Sequence, residues 1–156
     1  MVASLGSRWD LSVDNRAGQL ALVVEVKRKI GASPQWAASL RSNILAHGTF
    51  PKAPYFLMVF PDQFYLWTGA DAQLDRSEPT YTTDARPILQ PYLERAGVTA
   101  EKISSQSLEL IVESWLREII YSENPHEDLD ESQHWVIDLG LHAALAGGKI
   151  EHEAAA

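Results

Sequence analysis

The stretch Leu20 to Val26 limits the possible folds more than any other part of this chain, because it is apolar throughout except at Glu25. A strand with one wet face alternates apolar and polar residues, whereas a run that is apolar on both faces belongs at the centre of a covered sheet. Alternation sends Val23, Glu25 and Lys27 to one side and Leu22, Val24 and Val26 to the other. A carboxylate at the end of a buried strand costs free energy unless a partner or a cation offsets it. Glu25 and the co-facial Lys27 therefore call for a chemical reason.

Leu11 to Asp14 is a second extended run, separated from Gln19 to Lys27 by Asn15-Arg16-Ala17-Gly18. Those four residues favour turns, which predicts an antiparallel hairpin. A turn centred on Arg16-Ala17 pairs Asp10 with Val23 and Asp14 with Gln19. Asp10 then shares a face with Glu25, one diagonal step away at roughly 7 Å between β-carbons, and Asp14 lies too far along to join them. Two carboxylates and a backbone carbonyl form a hard oxygen site of the kind that magnesium or manganese takes. An adjacent ammonium can orient a nucleophile or stabilise charge on phosphorus, so the expected chemistry is phosphodiester hydrolysis with Asp10, Glu25 and Lys27 at its centre.

The remaining pattern predicts an α/β chain. Ser33-Pro34 is a helix start, after which Trp36, Leu40 and Ile44 recur at four-residue spacing until Gly48. Tyr55 to Phe60 and Phe64 to Thr68 are β-branched and aromatic runs joined by Pro61-Asp62-Gln63, a second hairpin. The core order is therefore β-β-α-β-β, a mixed central sheet flanked by helices. Ala70 to Thr83 reads as polar and turn-like, and Asp84 to Arg95 as a helix made short or irregular by Pro87 and Pro91. Leu108, Ile111, Val112, Trp115, Leu116, Ile119 and Ile120 mark an amphipathic helix of about four turns. An acidic loop from Asn124 to Glu131, a helix from Trp135 to Ala146 and a short edge strand over Lys149 to Glu151 complete the chain. One domain over 1–156 is expected, with added C-terminal helices at about 84–148.

Composition narrows the function. With no cysteine among 156 residues, disulfides, thiol nucleophiles and thiolate metal sites are excluded. The formal net charge of -8 opposes nonspecific coating of nucleic acid, although Lys27, Arg28, Lys29 and Arg41 form a local basic cluster near the expected site. No stretch reaches the roughly 18 apolar residues that span a bilayer, and the start lacks a signal-peptide pattern, which predicts a cytoplasmic protein without membrane contact. His126, His134, His142 and His152 gather among late acids without metal-binding spacing, so a solvated loop is expected there. Trp36, Trp115 and Trp135 fall within apolar helical patterns and are expected in the core, as are Tyr65 and Trp67 on their strand.

Trp9-Asp10 followed by Val24-Glu25-Val26-Lys27 resembles the PD-(D/E)XK nuclease superfamily, especially the nuclease-like domains at the N-terminus of type I restriction subunits. The resemblance covers about residues 8–68. It implies a restriction-endonuclease-like fold in which Asp10, Glu25 and the carbonyl of Val26 bind magnesium or manganese and Lys27 is the catalytic lysine. It also implies a supporting role for Gln35, in the first turn of the following helix, and DNA as the substrate, in a restriction or defence setting. Two departures accompany it. Trp9 stands where the motif has proline, and only nine residues precede Asp10 where many members carry a helix with a further glutamate. The expectation is a truncated start or a missing acid. A noncatalytic nuclease-fold module, acting on a protein partner or as a homo-oligomer, is the alternative.

Overall fold

The computed structural model describes residues 9–46, 53–74 and 77–152. It is an α/β structure built on one six-stranded mixed sheet. In chain order the strands are β1 (Leu11–Asp14), β2 (Leu20–Val26), β3 (Tyr55–Val59), β4 (Gln63–Thr68), β5 (Tyr81–Asp84) and β6 (Lys149–His152). They lie in the order β5-β4-β3-β2-β1-β6. β2 and β3 run parallel, joined by the crossover helix α1 (Pro34–Ala46), and every other neighbouring pair is antiparallel. β2 sits at the centre, as its apolar run predicts, because both its faces are covered, and its parallel partner β3 lies beside it.

Further helices are α2 (Ala70–Gln73), α3 (Arg86–Ala96), α4 (Ser105–Tyr121), α5 (Pro125–Asp128), α6 (Trp135–Asp138) and α7 (Leu141–Leu145). One face of the sheet presents Leu11, Val13, Leu22, Val24, Leu57 and Leu66 to a core that includes α3, α4 and the α6-α7 segment. α4 buries all seven residues of its predicted apolar stripe. The Ser104 hydroxyl caps its start by accepting from the Ser107 N–H at 3.1 Å. The opposite face presents Val23, Phe56, Met58, Tyr65 and Trp67 to a smaller cluster with Ala32, Ala37 and Ala72. Glu25, two residues from Val23 along β2, belongs to this thinner side.

Five expectations are corrected. α1 forms where predicted, but the residues it buries fully are Ala37 and Arg41, while Leu40 is only partly buried against the same cluster and Trp36 lies at the rim. Trp36 is 40% exposed, since a small alanine lets the helix lie close to the sheet and turns the adjacent indole to the rim. Arg41 leaves the basic cluster and is buried. Its guanidinium donates to the carbonyls of Leu74 (2.7 Å) and Ala72 (2.8 Å) and stands 5.0 and 5.1 Å from the ring centres of Phe56 and Trp67. The turn-like stretch from Ala70 contains α2 and edge strand β5, whose four residues pair with β4 despite their polarity. Gly140, at φ 80°, divides the predicted helix from Trp135 to Ala146 into α6 and α7, a backbone state that an α-helix does not contain. The acidic loop likewise holds the single turn α5. The expected helix stop at Gly48 lies outside the described residues.

Trp115, Trp135, Tyr65 and Trp67 are buried as expected. Trp115 packs between Phe64 at 5.1 Å and Trp135 at 6.1 Å, and its Nε1 donates to Gln133 Oε1 at 2.8 Å. Among the described residues, no helix is long and apolar enough to cross a membrane.

Candidate functional site

The β1-β2 hairpin positions the two acids, and its register differs from the symmetric one by two residues. Leu11 pairs with Val24 and Val13 with Leu22, while Asp14 pairs with Leu20 across a bulge at Val13-Asp14. Asn15 causes the first step. Its Oδ1 accepts from the Ala17 and Gln19 N–H groups, both at 2.9 Å, and its own N–H donates to the Gln19 carbonyl at 2.7 Å. This Asx turn, with Gly18 at φ 83°, makes the loop longer than a two-residue turn. The bulge adds the second step. Asp10 thereby faces Glu25 directly instead of diagonally, and Asp14 stays remote.

The acids are held by reciprocal bonds. The Asp10 N–H donates to Glu25 Oε1 at 3.1 Å and to the Val24 carbonyl at 3.2 Å, while the Val26 N–H donates to Asp10 Oδ2 at 2.7 Å. Each carboxylate spends one oxygen on the backbone opposite. Asp10 Oδ1 and Glu25 Oε2 remain, with the Lys27 ammonium 3.6 Å from the latter. β2 ends here, and the Lys27 N–H donates to the Val59 carbonyl at 2.8 Å, fixing the start of the next loop.

Glu25 is 5% exposed, and its pKa is pushed up from 4.5 to about 7. Burial is the largest cause and the neighbouring charge of Asp10 the second. Lys27 and the Asp10 N–H pull the other way without prevailing. The two acids therefore carry more negative charge than their surroundings offset, which suits a hard divalent cation. Val26 fits the same donor set. In a strand, a residue's N–H and C=O point to the same side, and its N–H points to Asp10. Asp10 Oδ1, Glu25 Oε2 and the Val26 carbonyl are the atoms that would hold magnesium or manganese. Among the described residues there is no group of three or more His, Asp or Glu side chains placed for a metal.

Gln35 is exposed in the first turn of α1 and has no hydrogen bond to Asp10, Glu25 or Lys27. The late histidines are spent on local structure. His134 Nε2 meets the Leu129 carbonyl at 3.2 Å, His142 Nε2 meets the Ser122 carbonyl at 2.8 Å, and His152 pairs with Glu113 at 2.9 Å. Two residues beside the site carry roles that their sequence did not signal. Asp62 Oδ2 accepts from the Gly31 N–H at 3.0 Å, and the Tyr65 hydroxyl donates to the Ala32 carbonyl, so the β3-β4 hairpin anchors the loop that follows Lys27. Pro61-Asp62 signals a turn, but the partner of its side chain lies thirty-one residues away.

No family model, curated protein or solved structure matches this chain.

Proposed function

We propose that this chain is a metal-dependent nuclease of restriction-endonuclease-like type that hydrolyses phosphodiester bonds in DNA. The observation that carries the reading is the buried Glu25 carboxylate facing Asp10, its pKa pushed up to about 7, with Lys27 beside it. The resemblance of Asp10 and Glu25-Val26-Lys27 to the PD-(D/E)XK motif supports the same assignment. A bound divalent ion supplies Lewis acidity, offsetting charge on the phosphate and making water acidic enough to attack near neutral pH. The chain supplies the rest. Asp10 and Glu25 orient their free oxygens through the reciprocal backbone bonds, and Lys27, 39% exposed, keeps a positive charge where a phosphate oxygen can reach it. The resemblance alone carries a supporting role for Gln35 at the helix start, and a restriction or defence role follows by the same analogy.

Incubating the protein with DNA and RNA in magnesium or manganese tests this. Cleavage is expected, lost in Asp10→Asn and lowered by roughly a hundredfold or more in Lys27→Ala. Cleavage unchanged by Lys27→Ala overturns the mechanism.

The same reciprocal bonds favour a second reading, since carboxylates tied to backbone N–H groups also serve as latches. On that reading the chain is a catalytically silent nuclease-fold module that binds a protein partner or a second copy of itself. Calorimetric titration with manganese separates the two: binding that Asp10→Asn abolishes counts against the silent module.

A further inference from the structure

We infer that Trp36, together with Lys29 and Arg28, forms a stacking site for an unpaired nucleobase, so that single-stranded or frayed nucleic acid is taken in preference to closed duplex. The inference rests on the nucleic-acid reading above and adds the strandedness of the substrate. Trp36 is the starting point. An indole that is 40% exposed leaves a large apolar face in water, although it lies one residue from Ala37, which is fully buried. Two neighbours hold the ring: Phe60 meets it edge-on at 6.0 Å, and the Lys29 ammonium stands over one face, 4.9 Å from its centre. A cation on a flexible stem can leave an aromatic face for a phosphate, and the freed face can take a base.

The loop bearing these cations is fixed at both ends. The Lys27 N–H is bound to Val59, and Gly31 and Ala32 are bound to Asp62 and Tyr65, which leaves Arg28, Lys29 and Ile30 exposed between the anchors. Three consecutive cations, Lys27 to Lys29, thus stand out on a chain of net charge -8, and the first turn of α1 carries no acid. That charge suits a polyanion, and the aromatic platform selects among polyanions. Bases in a closed duplex spend their faces on one another, whereas an unpaired base has a face to offer. Val23, which alternation places on the face of Glu25, lies in one cluster with Ala37 and Phe60, so Trp36 stands on the side of the sheet that bears the carboxylate pair.

The test is fluorescence anisotropy with labelled oligothymidylate of about fifteen nucleotides, and a duplex of similar length, in EDTA and low salt, so that binding is read apart from cleavage. Wild type is expected to bind the single strand more tightly. Trp36→Ala weakens that binding by roughly tenfold and duplex binding by less than about twofold. Trp36→Phe keeps an aromatic face and stays within about threefold of wild type. Lys29→Ala lowers the salt slope for the single strand by about 0.7. Equal losses for single strand and duplex, no loss in Trp36→Ala, a Trp36→Phe variant as weak as Trp36→Ala, or a wild type that prefers duplex or binds neither would each overturn the stacking site. Manganese-dependent cleavage without the Trp36 pattern leaves the nuclease reading standing alone. The Trp36 pattern without cleavage leaves the stacking site standing alone.

Discussion

Because Glu25 is desolvated and faces Asp10, its pKa of about 7 in the folded chain lies above the 4.5 of an ordinary glutamate. Between those two values the folded state holds a proton that the unfolded state has released. Stability from this group is therefore full below about pH 4.5 and is lost as pH rises through about 7. The span corresponds to roughly 3 kcal/mol, and for a chain of this size to a melting shift of roughly 5–10 °C. In EDTA the wild type is expected to melt lower at pH 8.5 than at pH 5.5, while Glu25→Gln shows a flatter profile and melts higher at pH 8.5. Manganese should restore stability at pH 8.5 and do little at pH 5.5, where the proton occupies the carboxylate. Parallel profiles for wild type and Glu25→Gln would refute the cost assigned to this charge. Glu25 was readable in the sequence because one polar residue interrupts an apolar strand. Trp36 and Arg41 were misread for a related reason: helical spacing does not say which stripe faces the sheet, and here Ala37 allows a close approach while Arg41 places two of its nitrogens on carbonyls.

The β1-β2 hairpin was foreseen as an element, and its pairing was not, because register depends on side-chain bonds within the turn. Asn15 lengthens the loop and the bulge at Val13-Asp14 adds a residue, and together they bring Asp10 opposite Glu25. Face alternation survives a shift of two, which is why Asp10 and Glu25 share a face in the structure as they do in the incorrect register. β5 was missed because its polar residues, Thr82 and Thr83 among them, are paired by backbone bonds that composition does not report. Gly148 determines how β6 joins this group. A β-carbon there would stand 2.2 Å from the Asp14 carbonyl oxygen and 2.9 Å from that of Leu145, both backbone atoms. Gly148→Ala is expected to destabilise the chain by about 2–3 kcal/mol, measured by urea unfolding, through displacement of β6 from β1. A loss below about 0.5 kcal/mol would show that the backbone moves aside freely.

At the scale of the whole chain, the sequence indicated the α/β class and the central place of β2, since only a strand covered on both faces reads as β2 does. The strand order was less accessible, because it depends on contacts between distant segments. Leu11 pairs with His152 and Asp14 with Lys149, so the sheet is closed on one side by its last strand. A chain cut after Gly147 is expected to lose this pairing and to associate through the bared edge of β1, seen as a rise in mass by light scattering relative to the full chain. A monodisperse truncated chain of unchanged mass would argue against it.

The β1-β6 pairing also matters for synthesis. A ribosome delivers β1 first and β6 last, so the hairpin that carries Asp10 and Glu25 spends most of translation with one row of backbone donors and acceptors unpaired. Until β6 arrives that row is open to a second nascent chain, so the edge that a chain cut after Gly147 bares for good is bared for a time in every round of synthesis.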